Sequence, residues 1–149
     1  MLPEHLPARI VTGFAPLDSI LGGGIVRASS ATICGDPGTG KSTLLAEALG
    51  CYSDRGGRPL YATGEESRAQ VDARARRVGA GWRVMDTHNW PDVEQEVAAL
   101  AARKVAPGVV VVDSVQAFGD HAAGLAPGLV ATVRALGPRM VGLSRYGCA

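Results

Sequence analysis

Only three cysteines, Cys34, Cys51 and Cys148, occur in 149 residues. The number is odd and the spacing wide, with no Cys-x-x-Cys pair or histidine cluster nearby, so neither a disulfide framework nor a zinc site is expected. A reducing cytoplasm suits such a chain. Charge of one sign is also missing: 15 Lys and Arg stand against 14 Asp and Glu, for a net charge of +1. That excludes a global basic field of the kind that announces nucleic acid, and leaves room only for a local patch. No apolar run approaches the ~20 residues of a membrane span. Glu4 and His5 occupy the place where a signal peptide needs a basic and then an apolar region. The chain therefore reads as a soluble cytoplasmic protein with no membrane partner. Repeats and low-complexity linkers are absent, and 46% hydrophobic residues can build a substantial core. One domain over residues 1–149 is expected.

What is present begins with residues 31–43, Ala-Thr-Ile-Cys-Gly-Asp-Pro-Gly-Thr-Gly-Lys-Ser-Thr. Gly35, Gly40, Lys41 and Ser42 fill the fixed positions of G-x-x-x-x-G-K-[ST], a phosphate-binding loop. A loop wrapped around an anion must turn its N–H groups inward, through dihedrals and close approaches that a Cβ would obstruct. The whole run Gly35, Asp36, Pro37, Gly38, Thr39, Gly40, Lys41, Ser42 and Thr43 is the candidate nucleotide cradle. Lys41 adds a point charge for the β- and γ-phosphates, Ser42 offers a hydroxyl to Mg²⁺, and a helix starting near Gly40 aims its positive end at the ligand. The β-prone run at 29–34 and the helix-prone run after Ser42 give the strand, loop and helix order that this motif requires. The bland alternative is a glycine-rich strand-to-helix turn that binds nothing.

Along the rest of the chain, residues 1–10 read as an irregular lead-in. Leu17, Ile20 and Leu21 recur at helical spacing and a triple glycine ends that short helix. Beyond the loop, the periodicity predicts strands at 60–63, 82–85, 109–113 and 140–143. Helices are predicted from Ser42, over 68–78 and 91–104, and around Leu129, Val133 and Leu136, with a loop at 117–125. Four arginines at 68, 74, 76 and 77 form a basic stretch, most simply a solvated face, otherwise a surface for phosphate or a neighbouring subunit. His88, a single histidine in a loop, is more simply exposed or packed than a ligand.

Two acidic signals follow strands. Glu65 and Glu66 come directly after the strand at 60–63, at the edge where parallel α/β sheets place ligands, so that one of them could orient water. Their bland reading is acids favourably placed before a helix N-terminus. Asp113 closes Val109-Val110-Val111-Val112, a β-branched run suited to a central strand buried on both faces, and is positioned to hold Mg²⁺.

Taken together, T-G-x-x-x-L-D-x-x-L-G-G-G, G-D-P-G-T-G-K-S-T, Y-A-T-G-E-E-S and V-V-V-V-D-S-V-Q resemble the ATPase core of the RecA superfamily, in particular RadA/Sms and its KaiC-like relatives, from about Arg9 to Gln116. The resemblance implies an α/β, three-layer, RecA-like P-loop fold with a mainly parallel sheet flanked by helices. Its strands would follow the spatial order third, second, fourth, fifth, first. It places Lys41 on the phosphates, Ser42 and Asp113 on Mg²⁺, and Glu65 on the attacking water, with Glu66 as the alternate. Gln116 matches a polar position without a firm role.

The chain also departs from that family. The four-cysteine module, the K-N-R-F-G motif and the protease-like domain of RadA-like proteins are not present in these residues. The sensor histidine of V-G-H-x-T-K-x-G is replaced in Val141-Gly142-Leu143-Ser144-Arg145-Tyr146-Gly147. The stretch after Gln116, where family DNA-contacting loops lie, is short and nearly uncharged.

The leading expectation is a Mg²⁺-dependent ATPase that binds ATP and ADP, serves recombination or repair, engages single-stranded DNA and forms a homo-oligomer. The oligomer follows from residues 30–34 forming an uncovered sheet edge, with Arg145 as a candidate contact to a neighbour's γ-phosphate. The alternative is a nucleotide-binding regulatory or interaction module with little turnover. A small-molecule kinase fits less well, because no arginine-rich lid is evident.

Overall fold

The computed structural model describes residues 8–79 and 81–149. The lead-in expected at 1–10 falls outside these residues as far as position 7. Thereafter the elements are β1 (Arg9–Ile10), α1 (Ala15–Ile20), β2 (Ile25–Val26), α2 (Lys41–Asp54), β3 (Pro59–Thr63), α3 (Arg68–Arg77), β4 (Arg83–Asp86), α4 (Trp90–Ala102), β5 (Val109–Asp113) and α5 (Val130–Gly142). Short 3₁₀ turns occupy Val115–Ala117 and Leu143–Tyr146.

The central sheet is parallel, in the order β4-β3-β5, with Thr63 opposite both Asp86 and Asp113. Alternation along the strands divides the core in two. Tyr61, Val84, Val109 and Val111 face one side with Leu49 of α2 and Val71 of α3. Leu60, Ala62, Val110 and Val112 face the other with Trp90, Val93 and Val97 of α4 and Leu136 of α5. Helices thus cover both faces, as the three-layer α/β expectation requires. Five buried residues in a row make β3 the centre of the sheet, and Trp90 and Phe118 meet edge-to-face at 5.8 Å beneath it.

Three corrections to the sequence reading concern strands. Residues 29–34 form no strand: Ser30, Ala31, Thr32 and Cys34 are exposed and none pairs with the sheet. The uncovered sheet edge expected there, and the oligomer argument built on it, lose their footing. Residues 140–143 are not a strand either, because α5 runs to Gly142. The reason is packing: Leu136, Met140 and Leu143 recur at helical spacing and join the same core cluster, which a strand would break up. The sheet therefore has three strands instead of five, in the third, second, fourth part of the expected order. The free edge of β5 is met by the backbone of Ala149, which donates to Gly108 O at 3.0 Å and accepts from Val110 N at 2.7 Å. Finally, β1 and β2 make a small antiparallel pair, and Asp18 ties α1 to it by accepting bonds from Thr12 N, Thr12 Oγ1 and Gly13 N at 2.8–3.0 Å.

Candidate nucleotide-binding site

The phosphate loop is curled on itself and open to solvent. Lys41 Nζ donates to the carbonyls of Gly35 and Asp36 at 2.8 and 2.9 Å, and Thr39 Oγ1 donates to Asp36 O at 2.8 Å. The lysine is thus drawn into the concavity rather than extended into solvent. Gly40 is the N-cap of α2 at φ +92°, a conformation that costs an L side chain about 1–2 kcal/mol. It lets the loop turn directly into the helix, so that the N–H groups of the first turn, left without intrahelical partners, face the loop. All of Gly35 to Gly40 is exposed. Among the described residues, no hydrogen bond joins this loop to Glu65, Glu66 or Asp113.

Those three acids converge at the carboxyl ends of adjacent strands. Asp113 continues the odd-numbered face of β5, the face turned toward α2 and α3, and its Oδ2 accepts the hydroxyl proton of buried Tyr61. Burial first, then the bond to Asp113, pushes the Tyr61 phenol well above its ordinary pKa, so it stays a donor throughout the neutral range. Glu65 is exposed, and its Oε1 accepts a hydrogen bond from the hydroxyl of Ser114, the residue after Asp113. The backbones at this corner lie close: a Cβ on Gly64 would come within 2.8 Å of the Ala117 Cβ, so only glycine fits there.

Glu66 differs from Glu65 by its partner. Arg74 holds it in a two-pronged ion pair at 2.7 and 2.6 Å, with the arginine side chain only 15% exposed. Such a fork occupies both carboxylate oxygens. The bond to Glu66 is also the main cause that raises the pKa of Arg74, against the opposing effect of its burial. One arginine of the basic stretch is therefore turned inward, while Arg76 and Arg77 are exposed.

The other predicted positions are more ordinary. Gln116 is exposed in the 3₁₀ turn, and its carbonyl accepts from Gly128 N at 2.7 Å. Arg145 follows a helix rather than a strand and stacks over its neighbour Tyr146 at 4.9 Å. The loop after β5 is pinned by Arg139, which donates to Asp120 at 2.7 Å and also pairs with Glu94 of α4. That pair with Arg139 holds the Asp120 carboxyl below its usual range.

A family model described as the AAA domain matches residues 1–137. The chain belongs to this AAA domain family. The DNA repair protein RadA of Brucella abortus (strain 2308) is 40% identical over 136 residues, which cover 89% of this chain and 29% of that protein. RadA of Mycobacterium tuberculosis (strain CDC 1551 / Oshkosh) is 41% identical over 125 residues, 84% of this chain and 26% of the relative. RadA of Escherichia coli (strain K12) is 41% identical over 131 residues, 88% and 28%. The chain spans a little over a quarter of the length of these relatives, and what they match is a RadA/RecA-like ATPase core.

In this AAA domain chain, Mg²⁺ is tested by the chemistry of the donors. The Ser42 hydroxyl and the Asp113 carboxylate are hard oxygens, the kind of ligand a Mg²⁺ ion takes when phosphates and water complete its shell. No cluster of three or more His, Cys, Asp or Glu suited to a metal is found among the described residues. Tyr61 and Ser114 were not singled out from the sequence, and Arg74 was read only as part of a basic surface, not as the partner of Glu66. Their partners lie 52, 8 and 49 residues away, and only the parallel register of β3 and β5 brings the first and last together. Tyr61→Phe should keep the fold, since only a hydroxyl is lost, and weaken Mg²⁺ binding to the ATP complex roughly tenfold, the scale of a lost outer hydrogen bond to a ligand. Calorimetric titration of Mg²⁺ into the ATP-loaded protein checks this.

Proposed function

We propose that the chain is a Mg²⁺-dependent ATPase core that hydrolyses ATP to ADP and phosphate in DNA recombination or repair. The observation that carries the reading is the contrast between the two adjacent acids. Both oxygens of Glu66 are taken by the Arg74 fork, while Glu65, exposed and held only by the Ser114 hydroxyl, keeps an oxygen open to water, as a general base needs. In this reading Lys41 and the N–H groups at the start of α2 hold the β- and γ-phosphates, and Glu65 takes a proton from the attacking water. Ser42 and Asp113 would hold Mg²⁺, which offsets phosphate charge when bound. Its partners in this reading are ATP and ADP, and single-stranded DNA.

The test is a Mg²⁺ titration of turnover with Asp113→Asn. The expected result is a Mg²⁺ requirement raised by about 10-fold or more, with ATP affinity in EDTA unchanged. An identical titration in variant and wild type would make Asp113 structural.

One observation favours a second reading, a nucleotide-binding regulatory module with little turnover. Residues 29–34 do not join the sheet, so the phosphate loop is carried by α2 alone. Release of phosphate through many turnovers, without an added acceptor, separates the two.

A further inference from the structure

The corner that carries Glu65 is fixed in its backbone and free in its side chain. β3 ends at Thr63, whose Oγ1 accepts from Glu66 N at 3.0 Å and donates to Glu66 O at 3.2 Å, which makes Gly64 and Glu65 the central residues of a clamped turn. Gly64 is buried, and its N–H donates to Asp113 O at 3.3 Å, tying the end of β3 to the end of β5. Ser114 follows in an extended conformation, φ −107° and ψ 157°, and its carbonyl accepts from Ala117 N at 2.9 Å, so the 3₁₀ turn sets its position. The Glu65 side chain, in contrast, is exposed and has three rotatable bonds, so that unrestrained it would sample many rotamers. Among the described residues, the Ser114 hydroxyl is the one group that hydrogen-bonds its carboxylate.

We propose that Ser114 is a positioning residue for the hydrolysis step: its hydroxyl holds Glu65 Oε1 so that Oε2 is presented to the attacking water. The inference rests on the reading of Glu65 as general base and adds the group that aims it. The chemistry of the donors separates the two acids. A serine hydroxyl has one proton to donate, so it takes a single carboxylate oxygen and leaves the second open. The Arg74 fork at Glu66 takes both. In the step itself, Oε2 receives one proton of the water as the water oxygen bonds to the γ-phosphorus and the bond to the departing ADP oxygen breaks. The Ser114 proton stays in place throughout, because Oε1 of the protonated carboxyl is still an acceptor. Aim matters in such a step, since a displacement of about 1 Å can cost about 10²-fold in rate.

Single-turnover ATP hydrolysis by Ser114→Ala, Ser114→Thr, Glu65→Gln and the double variant Ser114→Ala/Glu65→Gln tests it. Ser114→Ala should slow the chemical step about tenfold or more. ATP affinity, measured in parallel, should not change, which also reports an intact fold. Ser114→Thr keeps the hydroxyl on an extended backbone that suits a β-branched residue, and should return the rate to within about threefold of wild type. In the double variant, loss of the hydroxyl should add nothing to the effect of Glu65→Gln, because the group it aims no longer acts as a base. Effects that multiply in the double variant would overturn the proposal and leave Ser114 a structural residue of the corner. So would a Thr variant as slow as the Ala variant, a Ser114→Ala variant that has lost ATP affinity, or one that hydrolyses ATP at or above the wild-type rate. A slow Glu65→Gln beside an unaffected Ser114→Ala strikes this inference alone, whereas normal hydrolysis by Glu65→Gln strikes the general-base reading and this inference with it.

Discussion

Glu65→Gln is expected to slow ATP hydrolysis by about 10²–10⁴-fold while leaving ATP affinity within about twofold. The amide preserves the size of the side chain and can still meet the Ser114 hydroxyl, but it cannot take a proton from water. Glu66→Gln should behave differently. It removes one partner of a part-buried ion pair and leaves Arg74 to seek another, so the expected damage is to α3 packing and stability, on the order of 1–3 kcal/mol, more than to chemistry. Single-turnover kinetics and thermal melting on the two variants separate these effects. A slow Glu66→Gln beside a normal Glu65→Gln would exchange the roles.

Lys41→Ala has the second large expected effect, loss of ATP affinity by about 100-fold or more, corresponding to about 2.7 kcal/mol. The ammonium already sits within hydrogen-bond reach of the Gly35 and Asp36 carbonyls, so it is positioned on the loop before any phosphate arrives. Only charge-assisted bonds of this kind account for so large a share of anion affinity, since the backbone N–H groups at the start of α2 remain in the variant. The side chain is partly exposed, and the loop glycines are untouched, so the fold should survive. Equilibrium dialysis with ATP, alongside a melting curve, gives the answer. Unchanged affinity in a folded variant would remove the loop from the site.

Much of the layout could be read from residue order because local pattern and tertiary packing agree. Four successive valines want burial on both faces, and β5 has it. The stripe Leu45, Ala48 and Leu49 lays α2 on the sheet as its spacing requires. Where the two disagree, the pattern misleads. Met140, Val141 and Leu143 are as apolar as a strand, and Pro138 looks like a helix stop. Yet Leu136 lies four residues before Met140 and seven before Leu143, and the shared core favours one continuous helix across the proline. Residues 29–34 show the converse: β-prone side chains do not make a strand without an edge to pair with, and none of them pairs with the sheet.

The site was legible in its residue types and not in its pairings. Nothing in Gly64-Glu65-Glu66-Ser67 says which acid is free. The answer depends on Arg74, two turns into α3, whose side chain folds back past Tyr61 to reach Glu66. Nor does the run of valines say that Tyr61 will donate to Asp113. That contact needs β3 and β5 in register with their odd faces aligned.

The most direct test of an ATPase core is steady-state release of inorganic phosphate from ATP, followed for many turnovers in Mg²⁺ and in EDTA without any phosphate acceptor. The account predicts continuous release that requires Mg²⁺ and disappears in Glu65→Gln. Saturable ATP binding with no phosphate beyond a single equivalent, in Mg²⁺ as in EDTA, would contradict it and leave a nucleotide-binding module.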